Sequence, residues 1–205
     1  SFRKGRIMLQ STMDLYGYNV RVYSLNTVVV GTGAAGFNAA DRLYEYGQKD
    51  IVVVTENINA GTSRNTGSDK QTYYKLTLSG EAPDSVREMA HTLYEGQCVD
   101  GDIALCEAAL SSQCFFKLVE LGVPFPHNRY GEYIGYKTDH DPRRRATSVG
   151  PYTSRLMTEC LEKSVMNKQI RIFDRLQVIK ILTEQNKVCG LLCLDLSAPG
   201  DPNRC

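Results

Sequence analysis

Asn26-Thr27-Val28-Val29-Val30-Gly31-Thr32-Gly33-Ala34-Ala35-Gly36 is the stretch that decides the fold. Thr27 to Val30 is a β-branched run of the kind that forms a strand buried on both faces of a parallel sheet. It leads directly into the glycine turn. A helical pattern follows, with Ala35, Ala39, Leu43 and Tyr46 on one side and Gly47 as its stop. Ile51 to Val54 reads as a second buried strand, closed by Thr55-Glu56. Strand, glycine turn, helix and strand in this order make a βαβ unit. In such a unit Gly31 permits the tight exit from the strand, Gly33 lets backbone approach a diphosphate, and Gly36 lets the helix pack closely. The helix start then offers unpaired N–H groups and a partial positive charge to an anion. Glu56 stands twenty residues after Gly36, at the end of the second strand. A carboxylate there accepts hydrogen bonds from the ribose hydroxyls of an adenosine and repels a 2′-phosphate, which argues against NADP.

Working outward, Asn57 to Gly80 is rich in Gly, Ser, Thr and Asn and carries no helical period, as functional loops often do. Ser85-Val86-Arg87-Glu88 reads as a capping box, opening a helix whose buried stripe is Val86, Met89 and Leu93. A second helix is expected from Gly101 to Leu121, with Ile103, Cys106, Leu110, Cys114, Leu118 and Leu121 at helical spacing. Gly122 and Pro124 end it. Phe125 to Lys137 alternates weakly and is expected to form a hairpin. Thr153 or Ser154 would cap a helix reaching Asn167. Ile170 to Phe173 is a third short strand, and Leu176–Leu182 and Val188–Leu196 flank a turn at Glu184 to Lys187. The first 24 residues show no clean period and read as a peripheral leader, leaving 25–205 as one domain. The fold expected is α/β and Rossmann-like, a central parallel sheet with a C-terminal β-hairpin or meander.

Composition excludes several function classes. The chain has 205 residues, 42% hydrophobic and 23% charged, with 24 basic and 23 acidic residues giving a net charge of +1. That balance offers no field for nucleic acid or an anionic membrane. No stretch is long and apolar enough to span a bilayer, so direct membrane insertion is not expected. Seven cysteines, without a CxxC pair, favour reduced thiols in the cytoplasm and no metal site. The three histidines, His91, His127 and His140, read as surface or structural residues; of the three, His140 has the best claim to lie near a cofactor. Of Arg143, Arg144 and Arg145, at least two are expected to be solvated. No nucleophile–base pairing can be assembled, and no catalytic residue is named.

From Thr27 to about Leu196 the chain resembles the N-terminal part of the fumarate reductase/succinate dehydrogenase flavoprotein family, which includes L-aspartate oxidase. Besides the glycine turn, the resemblance rests on Gly61-Thr62-Ser63-Arg64-Asn65-Thr66-Gly67-Ser68 and on Glu120 to Phe125. The His140 to Arg145 segment and Gly150-Pro151-Tyr152-Thr153-Ser154-Arg155-Leu156 carry it further. It implies FAD as cofactor, with the small-residue loop running along the diphosphate toward the flavin. The site residues it implies are Gly31, Gly33, Ala34, Ala35, Gly36, Glu56, Asn57, Ser63, Arg64, Thr66, Gly67 and Ser68, with Val178 meeting the adenine. Some family members attach FAD covalently through a histidine in that loop. None occurs here between Glu56 and Ala90, so attachment is expected to be non-covalent. Ser154 replaces the family's usual glycine.

The resemblance further implies hydride transfer between FAD and a small organic acid in the full enzyme, with an electron-transfer subunit as partner. The chain is incomplete relative to the family: the capping domain and the segments that bind and protonate the dicarboxylate are missing, so the chain alone is expected to be inactive. Two alternatives stay open: an NAD-dependent dehydrogenase and a catalytically silent nucleotide-binding module.

Overall fold

A computed structural model describes residues 9–68, 71–80, 83–139 and 141–201. In chain order the elements are β1 (Leu9–Leu15), β2 (Tyr18–Ser24), β3 (Thr27–Val30), α1 (Ala34–Glu45), β4 (Ile51–Val54) and α2 (Thr62–Asn65). Then come β5 (Tyr73–Tyr74), α3 (Val86–Glu95), α4 (Gly101–Glu120), β6 (Ala146–Thr147), α5 (Thr153–Asn167), β7 (Arg171–Phe173), β8 (Leu176–Glu184) and β9 (Lys187–Asp195). The chain divides into two compact units, one from Ser1–Asn65 with Leu161–Cys205, the other Thr66–Cys160.

In the first unit β3, β4 and β7 form a parallel sheet in the order β3-β4-β7, with Val30 opposite Val54 and Val54 opposite Phe173. β4 is central, and all four of its residues are buried. β3 was expected to be buried on both faces, but Val28 and Val30 are 37% and 56% exposed. As the outer strand of the three, it is covered on one side only. The helix face differs too. On α1 the buried residues are Phe37, Ala40 and Asp41, whereas Ala35, Ala39 and Tyr46 are exposed. Asp41 accepts hydrogen bonds from Ser164 Oγ at 2.5 Å and Lys168 Nζ at 2.6 Å, so a buried carboxylate ties α1 to the last turns of α5 and beyond. β8 and β9 form the expected hairpin, turning at Gln185 and Asn186, both with positive φ as a two-residue turn of this hand requires.

Residues 9–24 were read without any element and form the β1–β2 hairpin. β1 is exposed throughout, with Leu9, Met13 and Leu15 on one of its faces, and in β2 Tyr18, Val20 and Val22 alternate with Asn19, Arg21 and Tyr23. Arg21 pairs with Asp195 at 2.6 Å, and the Tyr23 ring lies 4.9 Å from that of Phe173.

In the second unit α3 and α4 pack through Met89, Ala90, Ala104 and Ala108, with Val86, Leu93, Tyr74 and Leu76 around them. Ser85 caps α3 by accepting from Glu88 N–H at 3.1 Å. The reciprocal half of the expected capping box is replaced: Asp84 accepts from Ser85 N–H, and the Glu88 carboxylate pairs with Arg143. α4 has the expected bounds but buries a different face, Ala104, Ala108, Ser111, Phe115 and Leu118; Cys106, Leu110 and Cys114 are exposed. Apolar residues surround this helix, so periodicity alone does not choose its face. The small Ala104 and Ala108 do, because they let α3 approach closely. Phe125 to Lys137 does not form a hairpin. Asn128 closes a tight turn to Glu132, while Tyr136 pairs onward with Ala146.

Arg145 departs most from expectation. Its side chain is wholly buried and donates to both Asp84 oxygens at 2.7 and 3.0 Å, to Asp141 at 3.2 Å, and to Tyr74 and Thr92. Only Arg144 of the three arginines is plainly exposed. Burial works against the Arg145 charge, but its hydrogen bonds to Asp84 and Tyr74 prevail and raise its pKa. Arg145→Met strands buried carboxylates and should lower the unfolding free energy by about 3–5 kcal/mol, read from urea denaturation. An unchanged midpoint would show that the cluster is dispensable.

Lys75 is also fully buried, but no acceptor meets its Nζ among the described residues, which lies 4.8 Å from the centre of the Phe115 ring. Burial pulls its ammonium down to about 8 from the usual 10.5. Below both values the amine is charged in folded and unfolded chains, and the desolvation cost is borne in full. Between about 8 and 10.5 only the unfolded chain keeps the proton, so this group's penalty fades as pH rises. Lys75→Met should therefore raise the thermal midpoint near pH 7 and raise it less near pH 10, by scanning calorimetry across pH.

Candidate functional site

The site is built on the carboxyl ends of β3 and β4. Gly31 N–H donates to Val54 C=O at 2.8 Å, so the chain leaving β3 is still fastened to β4 as it turns. Gly31 has φ +102°, a conformation that glycine adopts without strain. A Cβ on Gly36 would stand 2.1 Å from Gly31 O, so α1 is pressed against the turn as closely as backbone allows. Gly33 is different: a Cβ there would meet only Ser63 Oγ, at 3.5 Å, an ordinary contact. Space therefore lies over the start of α1. Gly33 is the N-cap with extended backbone, and no side chain caps the helix. The first amides of α1, including those of Ala34 and Ala35, are thus left to whatever occupies that space.

The next segment folds back over the turn. Gly61 lies within 3.4 Å of Gly33 and of Thr32 O, measured from where its Cβ would be. Glu56, one residue beyond the buried Thr55, is exposed, and its carboxylate makes no hydrogen bond among the described residues. Asn57 Oδ1 accepts from Asn59 N–H at 2.9 Å, and Asp174 accepts from Ile58 N–H at 2.8 Å. Arg64, read from sequence as a candidate phosphate contact, is ion-paired with Glu162 of α5. Val178 sits in β8, half-buried, opposite Cys193.

The first unit thus holds together Gly31, Gly33, Ala34, Ala35, Gly36, Glu56, Asn57, Ser63 and Arg64. Thr66, Gly67 and Ser68 belong to the second unit. There Ser68 N–H donates to Pro151 C=O at 3.1 Å, and a Cβ on Gly67 would come within 3.2 Å of the Tyr152 ring. Gln71 organises this loop by donating to Ser154 Oγ at 2.9 Å and to Thr66 Oγ1 at 3.3 Å, and by accepting from Ser154 N–H at 3.2 Å. The serine that departs from the family's glycine is therefore occupied as a partner of Gln71. Thr153 and Ser154 do not cap α5: Thr153 Oγ1 accepts from Val149 N–H and donates to Gly150 C=O. His140 lies outside the described residues.

Sequence reasoning missed Thr32, Thr55, Asp174 and Glu162 in the first unit and Gln71 in the second, none of which a motif marks. Their roles depend on contacts between segments far apart in the chain. Among the described residues no helix is long and apolar enough to cross a membrane.

Among curated protein sequences none matches the chain. Solved structures match in fold. Sdh1 of Mycobacterium smegmatis in complex with UQ1 superimposes with a TM-score of 0.70 at 17% identity, over 83% of this chain and 30% of that one. E. coli quinol fumarate reductase gives 0.69 at 18% identity, over 83% and 29%. The 3-ketosteroid-delta4-(5alpha)-dehydrogenase of Rhodococcus jostii gives 0.63 at 17% identity, over 82% and 41%. The chain thus spans 30%, 29% and 41% of the lengths of these three chains, in line with the resemblance read from its sequence. A family model describing the FAD binding domain matches residues 26–203, from the strand before the glycine turn through the last hairpin, and the chain belongs to that family.

Proposed function

We propose that this chain is the FAD-binding part of a flavoprotein oxidoreductase and holds its cofactor without a covalent bond. One juxtaposition carries the reading: the uncapped start of α1 opens beside Gly33, and the unengaged Glu56 carboxylate stands at the end of the adjacent parallel strand. These groups fit the two ends of an ADP moiety. The amides of Ala34, Ala35 and Gly36 face the diphosphate along the positive end of the helix dipole. Glu56 accepts from the adenosine ribose, and Asn57 flanks it. Ser63 borders the same space, and Val178 lies toward the adenine. Thr66, Gly67 and Ser68 are small enough for their backbone to meet the flavin half of the cofactor. Arg64, already balanced by Glu162, orients α2 more than it neutralises phosphate.

FAD bound here supplies hydride transfer, and the protein's part is to place it and keep water from it. In the whole enzyme the partner of that hydride is a small organic acid, and an electron-transfer subunit exchanges electrons with the flavin. The FAD-binding domain we propose is residues 25–205, with 1–24 a peripheral addition whose hairpin meets it through Arg21–Asp195 and Tyr23–Phe173. A cytoplasmic setting suits six described cysteines that are all free thiols. An NAD-dependent dehydrogenase would not carry a long small-residue loop after Glu56, because NAD folds proceed from the second strand into another crossover. A silent nucleotide-binding module would lack flavin colour as purified.

Two experiments test the assignment. The purified chain should retain FAD and ADP in preference to FMN through desalting, because FMN lacks the adenosine that Glu56 reads. Equal retention of FMN and FAD would sink it. Separately, Gly33→Val should leave a folded protein, since the backbone there is extended and the nearest atom is at ordinary contact distance. Its affinity for FAD should nonetheless drop by about a hundredfold or more, the branched side chain filling the diphosphate space. Gly36→Ala makes the contrast, failing at folding because its Cβ would collide with Gly31 O.

A further inference from the structure

Thr32 and Thr55 are buried polar residues, 3% and 8% exposed, and their hydroxyls meet at 3.0 Å. One sits inside the glycine turn; the other closes β4, immediately before Glu56. Whichever hydroxyl accepts in this bond keeps its own proton for a backbone carbonyl. Thr32 Oγ1 reaches Ile58 C=O and Thr55 Oγ1 reaches Asn57 C=O, each at 3.4 Å. The pair thus joins three pieces of backbone: the turn that faces the diphosphate, the strand end that carries Glu56, and the segment that folds back over the turn at Gly61. A turn that needs only a small residue between its two glycines has no use for a hydroxyl. A buried hydroxyl without a partner is costly, so the pair is maintained as a unit.

We propose that Thr32 and Thr55 are positioning residues that set the gap between the ribose-reading carboxylate of Glu56 and the diphosphate space over α1. They touch neither end of the cofactor by side chain and act through Glu56 and the 57–61 segment. The proposal rests on the reading of this site as an FAD site. Its consequence is a coupling: removing a hydroxyl matters to FAD only while Glu56 is present to be positioned.

The test uses Thr32→Val, which keeps the shape of the side chain and removes the hydroxyl, and Thr32→Ser, which keeps the hydroxyl. FAD affinity should fall by about tenfold in Thr32→Val, the effect of one lost buried hydrogen bond, and by less than about twofold in Thr32→Ser. In a Glu56→Ala background the same Thr32→Val change should cost less than about twofold, a non-additivity that a merely structural role would not produce. Amide exchange in the cofactor-free protein should quicken across residues 57–61 and stay unchanged across Val52 to Val54. Should Thr32→Val fail to fold, Thr55→Val carries the same expectations from the other end of the bond. Equal losses with and without Glu56, or unchanged exchange at 57–61 in a folded variant, would overturn the proposal. Failure of the unaltered protein to bind FAD would instead overturn the site reading, and the exchange measurement would still decide whether the hydroxyl pair fastens the segment.

Discussion

The contact between Gly36 and Gly31 is the constraint on which the rest of the first unit depends. Because no Cβ intervenes, α1 begins against the turn that leaves β3, and its first amides open directly beyond the parallel strands. A helix set even one methyl further out would aim those amides elsewhere, and the carboxylate at the end of β4 would no longer flank the same space. Two side-chain contacts in that unit brace this arrangement. The buried Asp41, held by Ser164 and Lys168, keeps the far half of α1 against α5, and Glu162, two residues before Ser164, holds Arg64 and the short α2. A single stretch of α5 thereby anchors both sides of the space.

The second unit is organised by charge in its interior. Arg145 satisfies its guanidinium with two aspartates, a tyrosine and a threonine drawn from four separate places in the chain, and this network fixes the Asp141 to Arg145 segment against α3. Asp84 has its pKa changed by two opposed causes: burial pushes it upward, and hydrogen bonds from Arg145 and from the Thr77 and Ser85 amides more than reverse that. A buried network of this kind adds little net stability over an apolar core, but it admits few alternative arrangements. Lys75, a few residues from the loop, has an aromatic face in place of an anion, and the fold accommodates that cost.

What the sequence made legible follows from which forces are local. The βαβ unit was legible because strand, turn and helix each leave a mark within a few residues, and Glu56 because its spacing from Gly36 is set by one helix and one strand. The β8–β9 hairpin and the bounds of α4 could be read for the same reason. The faces of α1 and α4 could not, because both helices carry apolar residues on more than one side and the choice is made by the neighbour that packs on them. Arg145 could not be told apart from Arg143 and Arg144, since nothing nearby in sequence announces Asp84. The β1–β2 hairpin escaped notice although Tyr18, Val20 and Val22 alternate with polar residues, because β1 itself has few apolar residues and is exposed throughout. Thr32 carries no signal of its own in the sequence, because its partner Thr55 stands at the end of another strand.

The outer end of the β8–β9 ribbon bears on how such a chain behaves in bulk. Ile179, Ile181 and Val188 are 50%, 59% and 69% exposed there, and among the described residues the ribbon pairs with no third strand. Backbone groups at a free strand edge, set among branched apolar side chains, match any other extended segment that drifts alongside. The ribbon that follows β7 therefore presents an open edge at which a further extended segment can pair.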